Sequence, residues 1–351
     1  MPSWAVLIGL AMCATADAFS TAPGSPTTYA RRGPILSLCA QATHKGHVSL
    51  EAGRRAFALS SAASFLGGIA TLRASAAHAE PVCVEGCGGA NPRYIEYDYQ
   101  MSMPDASGNP RTVGFLLKRY TGDSTPFTFP QSPVRLVREW PLEPPFAKSD
   151  FSRMDETDDG SFYGVPRFVY HIDEGSVAAL TQYYRRNIPP GSDILDICSS
   201  WVSHYPLEFK ETMGRISGTG MNSLELRANT QLSDFKPKNL NIDPVLPYED
   251  ASFDIVTCVV SIDYLIHPIT VLKEVRRVLR PGGRVIISQS NRCFPTKAIS
   301  MWLEMNDRQH LDLINGYLQY AGGFLTPQAF DISAKGSGAR DPMFIVEAKK
   351  A

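Results

Sequence analysis

The alternation of apolar runs and helical patterns between residues 192 and 290 constrains this chain more than any other feature. SDILDI opens it as an apolar strand pattern with Asp196 near its end, and a turn-rich loop with Cys198, Ser199 and Ser200 follows. RISGTG supplies a second strand, and the continuous apolar run from Phe253 to Val260 suits a strand buried on both faces. In ITVLKEVRRVL, Ile269, Leu272, Val275 and Leu279 recur at helical spacing. Pro281-Gly282-Gly283 should end that helix and turn the chain into a strand at 284–288. Strands joined through helices pair in parallel, because a parallel connection needs a crossover. The chain is therefore α/β, with a mostly parallel sheet and helices on both faces.

The flanks fit this frame. PRFVYHIDEGSVAALTQYYRRNIPPG predicts a helix from about Asp173, with Val177, Leu180 and Tyr184 on one face and Pro189-Pro190 as its stop. His171, just ahead of it, invites a catalytic reading, but a lone His ahead of a helix is more often structural or solvent-facing. Downstream, SNRCFPTKAISMWLEM and DRQHLDLINGYLQYAGGF each predict a helix, and the last segment predicts two strands around a Gly-rich turn.

Composition excludes some functions. With 351 residues, 44% of them apolar, a formal net charge of -1 and no Lys/Arg stripe among aromatics, the footprint of a nucleic-acid binder is missing. Small-molecule or protein partners are expected instead. Cysteines show no paired zinc spacing, so no metal site is expected. Cys258 reads as a buried small hydrophobe. Cys83 and Cys87 form a C-x3-C that reads equally as a small disulfide loop or as two free thiols.

The first 79 residues read as targeting sequence. An apolar run over residues 4–16 resembles a secretory signal, and an Ala18-Phe19 junction and a Ser/Thr/Pro stretch without an acid until Glu51 follow it. That order resembles the two-part presequence of plastids of secondary origin. Arg54-Arg55 then precede an apolar, small-residue segment closing on Ala77-His78-Ala79, which resembles a twin-arginine thylakoid lumen signal; the other readings of residues 58–79 are a membrane anchor or a buried helix. The mature protein is expected not to span a membrane, because Arg73 would be costly in hydrocarbon. Removing this segment takes six Lys/Arg and two Asp/Glu and leaves 28 basic against 33 acidic residues. Three regions follow: 1–79 as presequence, 80–165 as an extension of unknown role, and 166–351 as the α/β domain. In the extension, YIEYDYQM and TVGFLLKRY suggest a hairpin across DASGNP, and FTFPQSPVRLVREWPLEPPF reads as extended chain. It should lie on the domain rather than fold alone, as a lid or a partner surface.

Taken together, SDILDICSSWVSH, LPYEDASFDIVTCVVSIDYLIHP and VLKEVRRVLRPGGRVIISQSN resemble class I S-adenosylmethionine-dependent methyltransferases of the methyltransferase type 11 kind. SSWVSH, GMN and SNRCFPTKA further resemble a bacterial and plastid subgroup of them. The resemblance covers about residues 166–351. It implies a Rossmann-like, seven-stranded, mostly parallel sheet closed by a C-terminal antiparallel hairpin, with S-adenosyl-L-methionine as cofactor. It implies that Asp196, Cys198, Ser199, Ser200 and Trp201 face the methionine part, Met221 and Asn222 the ribose and adenine, and Asn239 with Leu240 the adenine edge. The glycines usual in the first loop fall on Cys198, Ser200 and Val202, and Val202 is a poor substitute if a positive φ is required there. The acid usual at the end of the second strand falls on Gly220. Ser261, Asp263, Tyr264 and His267 are substrate-side candidates, and His204 is a candidate base or a bridge in the first loop.

Two functions from different classes fit. One is methyl transfer to a small-molecule acceptor in the plastid. The other is a binding or assembly module with a thylakoid protein partner that keeps the fold without cofactor affinity. A nicotinamide oxidoreductase is disfavoured because G-x-G-x-x-G is absent.

Overall fold

The computed structural model describes residues 82–85, 93–104, 107–123 and 126–351. The presequence and the question of the Cys83–Cys87 pair lie outside the described residues.

Parallel strands form the centre. β5 (Asp193–Ile197), β6 (Arg215–Thr219), β8 (Phe253–Val259) and β9 (Leu279–Gln289) are separated by helical connections, as their apolar runs predict. A short β7 (Asp234–Phe235) pairs with β6, giving the parallel order β7-β6-β5-β8-β9. β11 (Phe344–Lys349) runs antiparallel beside β9, and β10 (Gln328–Asp331) runs antiparallel beside β11. The expected Rossmann-like, mostly parallel sheet with its C-terminal antiparallel pair is thus present. The extension adds an eighth strand, β4 (Ser132–Val134), against β10.

Helices cover both faces. The helix at Glu174–Asn187, α2, starts where predicted because the Asp173 side chain accepts from Ser176 N at 2.8 Å, which satisfies one of the free donors of the first turn. It packs Val177, Leu180 and Tyr184 against Ile194, Ile216 and Ile255. On the other face, α5 (Pro268–Val278) and α7 (Asp307–Ala321) bury Val271, Val275, Leu311 and Ile314 against Val256 and Val285. Two predictions need correction. The fifth strand runs from Leu279 straight out of the helix, with the bend at Gly282 (φ 76°) inside it. In SNRCFPTKAISMWLEM only α6, Ser300–Leu303, is helical, because Pro295 cannot donate to a helix and the following Lys297 turns inward.

Much of the described extension lies on this domain. β2 (Tyr94–Pro104) and β3 (Pro110–Tyr120) form the expected hairpin, to which β1 (Val82–Glu85) adds an unexpected strand, and the hairpin buries Tyr97, Tyr99, Met101 and Leu117 against Trp201 and Ala228. The Pro-rich stretch then crosses α7, where Asp312 Oδ1 accepts from Val137 N at 2.8 Å and Phe146 meets Tyr317 edge-on. Residues 148–153 pack against Ile299 and Ser300, and residues 159–172, opening with the one-turn helix α1 (Asp159–Tyr163), run above the C-terminal ends of β5, β6 and β8. Among the described residues no helix is long and apolar enough to cross a membrane.

Candidate active site

A cavity of about 590 Å³ opens above those strand ends. The loops after β5, β6 and β8 form its floor, and residues 159–172 with the loop after β9 form its roof. Open α/β sheets bind ligands at this end of their parallel strands, where the connections diverge.

The loop after β5 is folded by its own polar groups. Asp196 is 2% exposed, and its carboxylate accepts from Ser199 Oγ at 2.7 Å and Thr257 Oγ1 at 2.9 Å. Burial pushes its pKa up to about 6, against the lowering effect of the Ser203, Ser199 and Thr257 hydroxyls. The loop still makes the left-handed turn that a glycine would make, with Cys198 at φ 55° and His204 at φ 57°, while Val202 is not among the positive-φ residues. The concern over Val202 is thereby removed. Contact with Cys198, then burial, pushes the Cys258 thiol up.

The missing acid on β6 has a steric cause. A Cβ on Gly220 would fall inside the envelope of Ser199 O, so any side chain there would displace the first loop. Asn222, the nearest polar substitute, has its amide oxygen engaged within the fold. Its amide oxygen caps the helix α4 (Ser223–Ala228), accepting from Leu224 N at 2.9 Å and Glu225 N at 3.2 Å. Glu225, which sequence reasoning missed, lines the cavity instead, and its carboxylate accepts from Ser200 Oγ and Arg167 N, each at 2.6 Å. Burial raises its pKa.

The predicted residues divide. Asp196, Cys198, Ser199, Ser200, Met221, Asn222, Asn239, Leu240, His204, Ser261 and Tyr264 all line the cavity. Trp201 does not, because it is 2% exposed and donates Nε1–H to Val169 O at 3.0 Å, bracing the roof. His267 is exposed ahead of α5, outside the lining residues, so its assignment as catalytic is corrected. Asp263 is buried behind the wall, and desolvation raises its pKa far above the carboxylate range. His204 is 8% exposed with no partner for Nδ1, and burial lowers its pKa to about 3. The Tyr264 hydroxyl accepts from Phe294 N at 2.8 Å. The roof adds Asp159, Tyr163, Arg167 and His171, of which the sequence had singled out His171 alone.

The roof is tied down by buried ions. Lys297 is 0% exposed, and its ammonium lies 3.2 Å from both Asp155 Oδ2 and Asp159 Oδ1 while donating to Thr157 O at 2.8 Å. Arg153 also reaches Asp159 Oδ1 at 2.7 Å, and Asn241 from the floor donates to Asp159 Oδ2 at 3.0 Å.

A family model described as a methyltransferase domain matches residues 209–287. Over 110 residues the chain is 33% identical to the demethylmenaquinone methyltransferase of Lactococcus lactis, covering 29% of this chain and 43% of that protein. Over 103 residues it is 31% identical to the ubiquinone/menaquinone biosynthesis C-methyltransferase UbiE of Bdellovibrio bacteriovorus, covering 28% and 43%. The chain thus spans less than half the length of these two relatives. A solved S-adenosylmethionine-dependent methyltransferase from Aquifex aeolicus aligns over 49% of this chain and 89% of its own, with 15% identity and a TM-score of 0.35. The matched residues run from just before β6 into β9 of the parallel sheet.

Proposed function

We propose that this protein transfers a methyl group from S-adenosylmethionine to a small hydroxylated aromatic acceptor. The observation that carries the reading is the Gly220–Glu225 exchange. The floor forbids an acid at the strand end and presents one from the next helix, into a cavity of a size usual for small-molecule sites. Glu225 with Ser200 would hold the ribose hydroxyls, and Asn239 and Leu240 the adenine edge. Cys198 and Ser199 would border the methionine part. Bound there, the cofactor supplies an electrophilic methyl group on a sulfonium. The protein's contribution is to align the acceptor and exclude water, which is where most of the acceleration of an in-line displacement arises. The quinone-related names of the relatives support an aromatic acceptor. The presequence supports a plastid address, with the thylakoid lumen as the compartment; a fluorescent fusion that stays in the cytosol would refute it.

Titration calorimetry of the full chain with S-adenosylmethionine and S-adenosylhomocysteine tests the reading. Micromolar binding, about -8 kcal/mol, is expected. Glu225→Gln should weaken it by about tenfold or more, the usual cost of losing a hydrogen bond to a charged group. A folded protein that binds neither ligand refutes the proposal.

A further inference from the structure

We propose that the methyl acceptor is an acid, and that Arg167 and Arg340 bind its carboxylate at the end of the cavity above β9 and β11. The inference rests on the methyl-transfer reading and names a substrate feature which that reading leaves open. Arg167, Lys238, Arg292 and Arg340 are the cationic side chains that line the cavity, and two of them are already neutralised. The Lys238 ammonium lies 2.5 Å from Asp243 Oδ2, and the Arg292 guanidinium lies 2.7 Å from Asp341 Oδ1. Half-buried Arg167 and exposed Arg340 enter no ion pair among the described residues. Each is fixed by its backbone N–H instead, which donates at 2.6 Å to Glu225 Oε1 and to Asp173 Oδ2 respectively.

The acids around the same space are committed. Asp159 belongs to the Lys297 and Arg153 cluster, Asp341 to Arg292, and Asp196 to its hydroxyls. Glu225 accepts from Ser200 Oγ and the Arg167 backbone. The cavity therefore keeps two guanidinium charges that no carboxylate of the fold takes up. An incoming anion meets donors already in place, without first breaking an ion pair.

Strand order assigns this charge to the acceptor's end. The sheet runs β7-β6-β5-β8-β9-β11, and the residues proposed to hold the cofactor follow β5, β6 and β7. The Arg167 guanidinium lies at the other end, 5.7 Å from the ring centroid of Phe294, which follows β9, and 4.5 Å from that of Phe162. Arg340 stands just ahead of β11, and the Arg292–Asp341 pair ties its turn to the loop of Phe294. Rings that cover the face of a guanidinium leave its in-plane N–H groups for a planar partner, and a carboxylate matches that fork with two parallel hydrogen bonds. A carboxylate conjugated with a ring is also flat, as a tetrahedral phosphate is not. His171, 5.3 Å from Phe294, does not compete for the anion: desolvation first, then Arg167, lowers its pKa to about 4, so it is uncharged at neutral pH. The carboxylate is unchanged by the reaction. Its part is to hold the acceptor in one orientation toward the methyl group.

The test uses the full chain saturated with S-adenosylhomocysteine and titrated with 4-hydroxybenzoate and 3,4-dihydroxybenzoate, each beside its uncharged amide. Each acid is expected to bind about tenfold or more tightly than its amide, the usual worth of hydrogen bonds between charged groups. Arg167→Gln should remove most of that preference and leave S-adenosylhomocysteine affinity within about threefold. Arg340→Gln should remove a smaller part, and Arg167→Lys, which keeps the charge without the fork, should retain some of it. Equal affinity of wild type for acid and amide overturns the proposal, as does a preference that survives Arg167→Gln. So does a wild type that binds S-adenosylhomocysteine but none of the four probes. Loss of S-adenosylhomocysteine affinity in Arg167→Gln beyond about threefold overturns it too, by placing the guanidinium on the cofactor's own carboxylate. A wild type that binds no S-adenosylhomocysteine removes the underlying methyl-transfer reading, and this inference with it.

Discussion

The floor and the roof of the cavity are built on opposite principles. Floor groups are held by the fold itself: Asp196 is saturated by hydroxyls, Asn222 caps a helix, and Gly220 has no room for a side chain. Roof groups are carried by irregular chain and pinned at a few ionic points, yet Arg167 and His171 present open functional atoms to the cavity. A sheet edge fixes positions by spending its polar groups on itself. The reactive surface then has to come from a segment that the sheet does not own.

The contrast is broken most directly at Lys297. Its loss takes the ammonium from half-exposed Asp155 and from buried Asp159, which keeps Arg153, so the cost falls below the about 3–5 kcal/mol of a fully broken buried pair. Lys297→Ala should lower stability by less than that in urea denaturation and expose residues 148–165 to limited proteolysis. If instead the protein unfolds less readily than wild type and the segment stays protected, the aromatic packing of Phe146 and Phe151 on Tyr317 holds the roof.

The same contrast decides what could be read in advance. Strands and helices of the floor were legible because burial imposes a period on the residues, and the helix from Glu174 began at its predicted cap. Periodicity says nothing of a segment fixed by point contacts, so the roof residues Asp159, Tyr163 and Arg167 went unseen, and His171 read more readily as structural or solvent-facing than as catalytic. Glu225 was hidden for another reason. It sits three residues after a helix-capping Asn222, where an acid ordinarily serves the cap, and its bonds to Ser200 and to Arg167 of the roof show that it turns to the cavity. The longer helix expected across SNRCFPTKA failed because Lys297 finds its partners about 140 residues upstream in sequence, and no local propensity records that.

Gly220→Ala tests the floor with a single carbon. Overpacking against a backbone carbonyl costs about 1–3 kcal/mol, and the loop that shifts is the one proposed to hold the cofactor. Stability should fall by that amount and S-adenosylhomocysteine affinity by a larger factor. Equal tolerance in both measurements would mean that Ser199 moves freely and that the floor is not fixed.

Acid separates the buried titrating groups. His204 resists protonation when folded, with a pKa of about 3 against about 6.5 unfolded, so its contribution is present above pH 6.5 and is lost as pH falls toward 3. Asp196, raised to about 6, works the other way: its contribution is present below about pH 4 and is lost as pH rises through 6. The two oppose each other near pH 5. His204→Gln should therefore tilt stability against pH by about 1.4 kcal/mol per unit toward greater acid resistance, and Asp196→Asn should tilt it the opposite way. Parallel stability curves for wild type and either variant would remove that residue from the buried set.

The smallest effect discriminates best between two positions in one loop. Cys198 holds a left-handed backbone at φ 55°, which costs a non-glycine residue about 1–2 kcal/mol, whereas Val202 carries no such angle. Glycine relieves the strain at 198 but adds about 0.5–1 kcal/mol of chain entropy and loses the thiol contact with Cys258. Cys198→Gly should therefore leave stability level or raise it by up to about 1 kcal/mol, with a melting temperature no lower than wild type. Val202→Gly gains nothing from strain, loses a side chain packed beside Trp201, and should destabilise by about 1 kcal/mol or more. Opposite signs at the two sites would show that this loop copies a glycine turn at one position only. Destabilisation at both would mean that the Cys198–Cys258 contact outweighs the backbone strain, and that the first loop is held by its sulfur rather than despite its missing glycine.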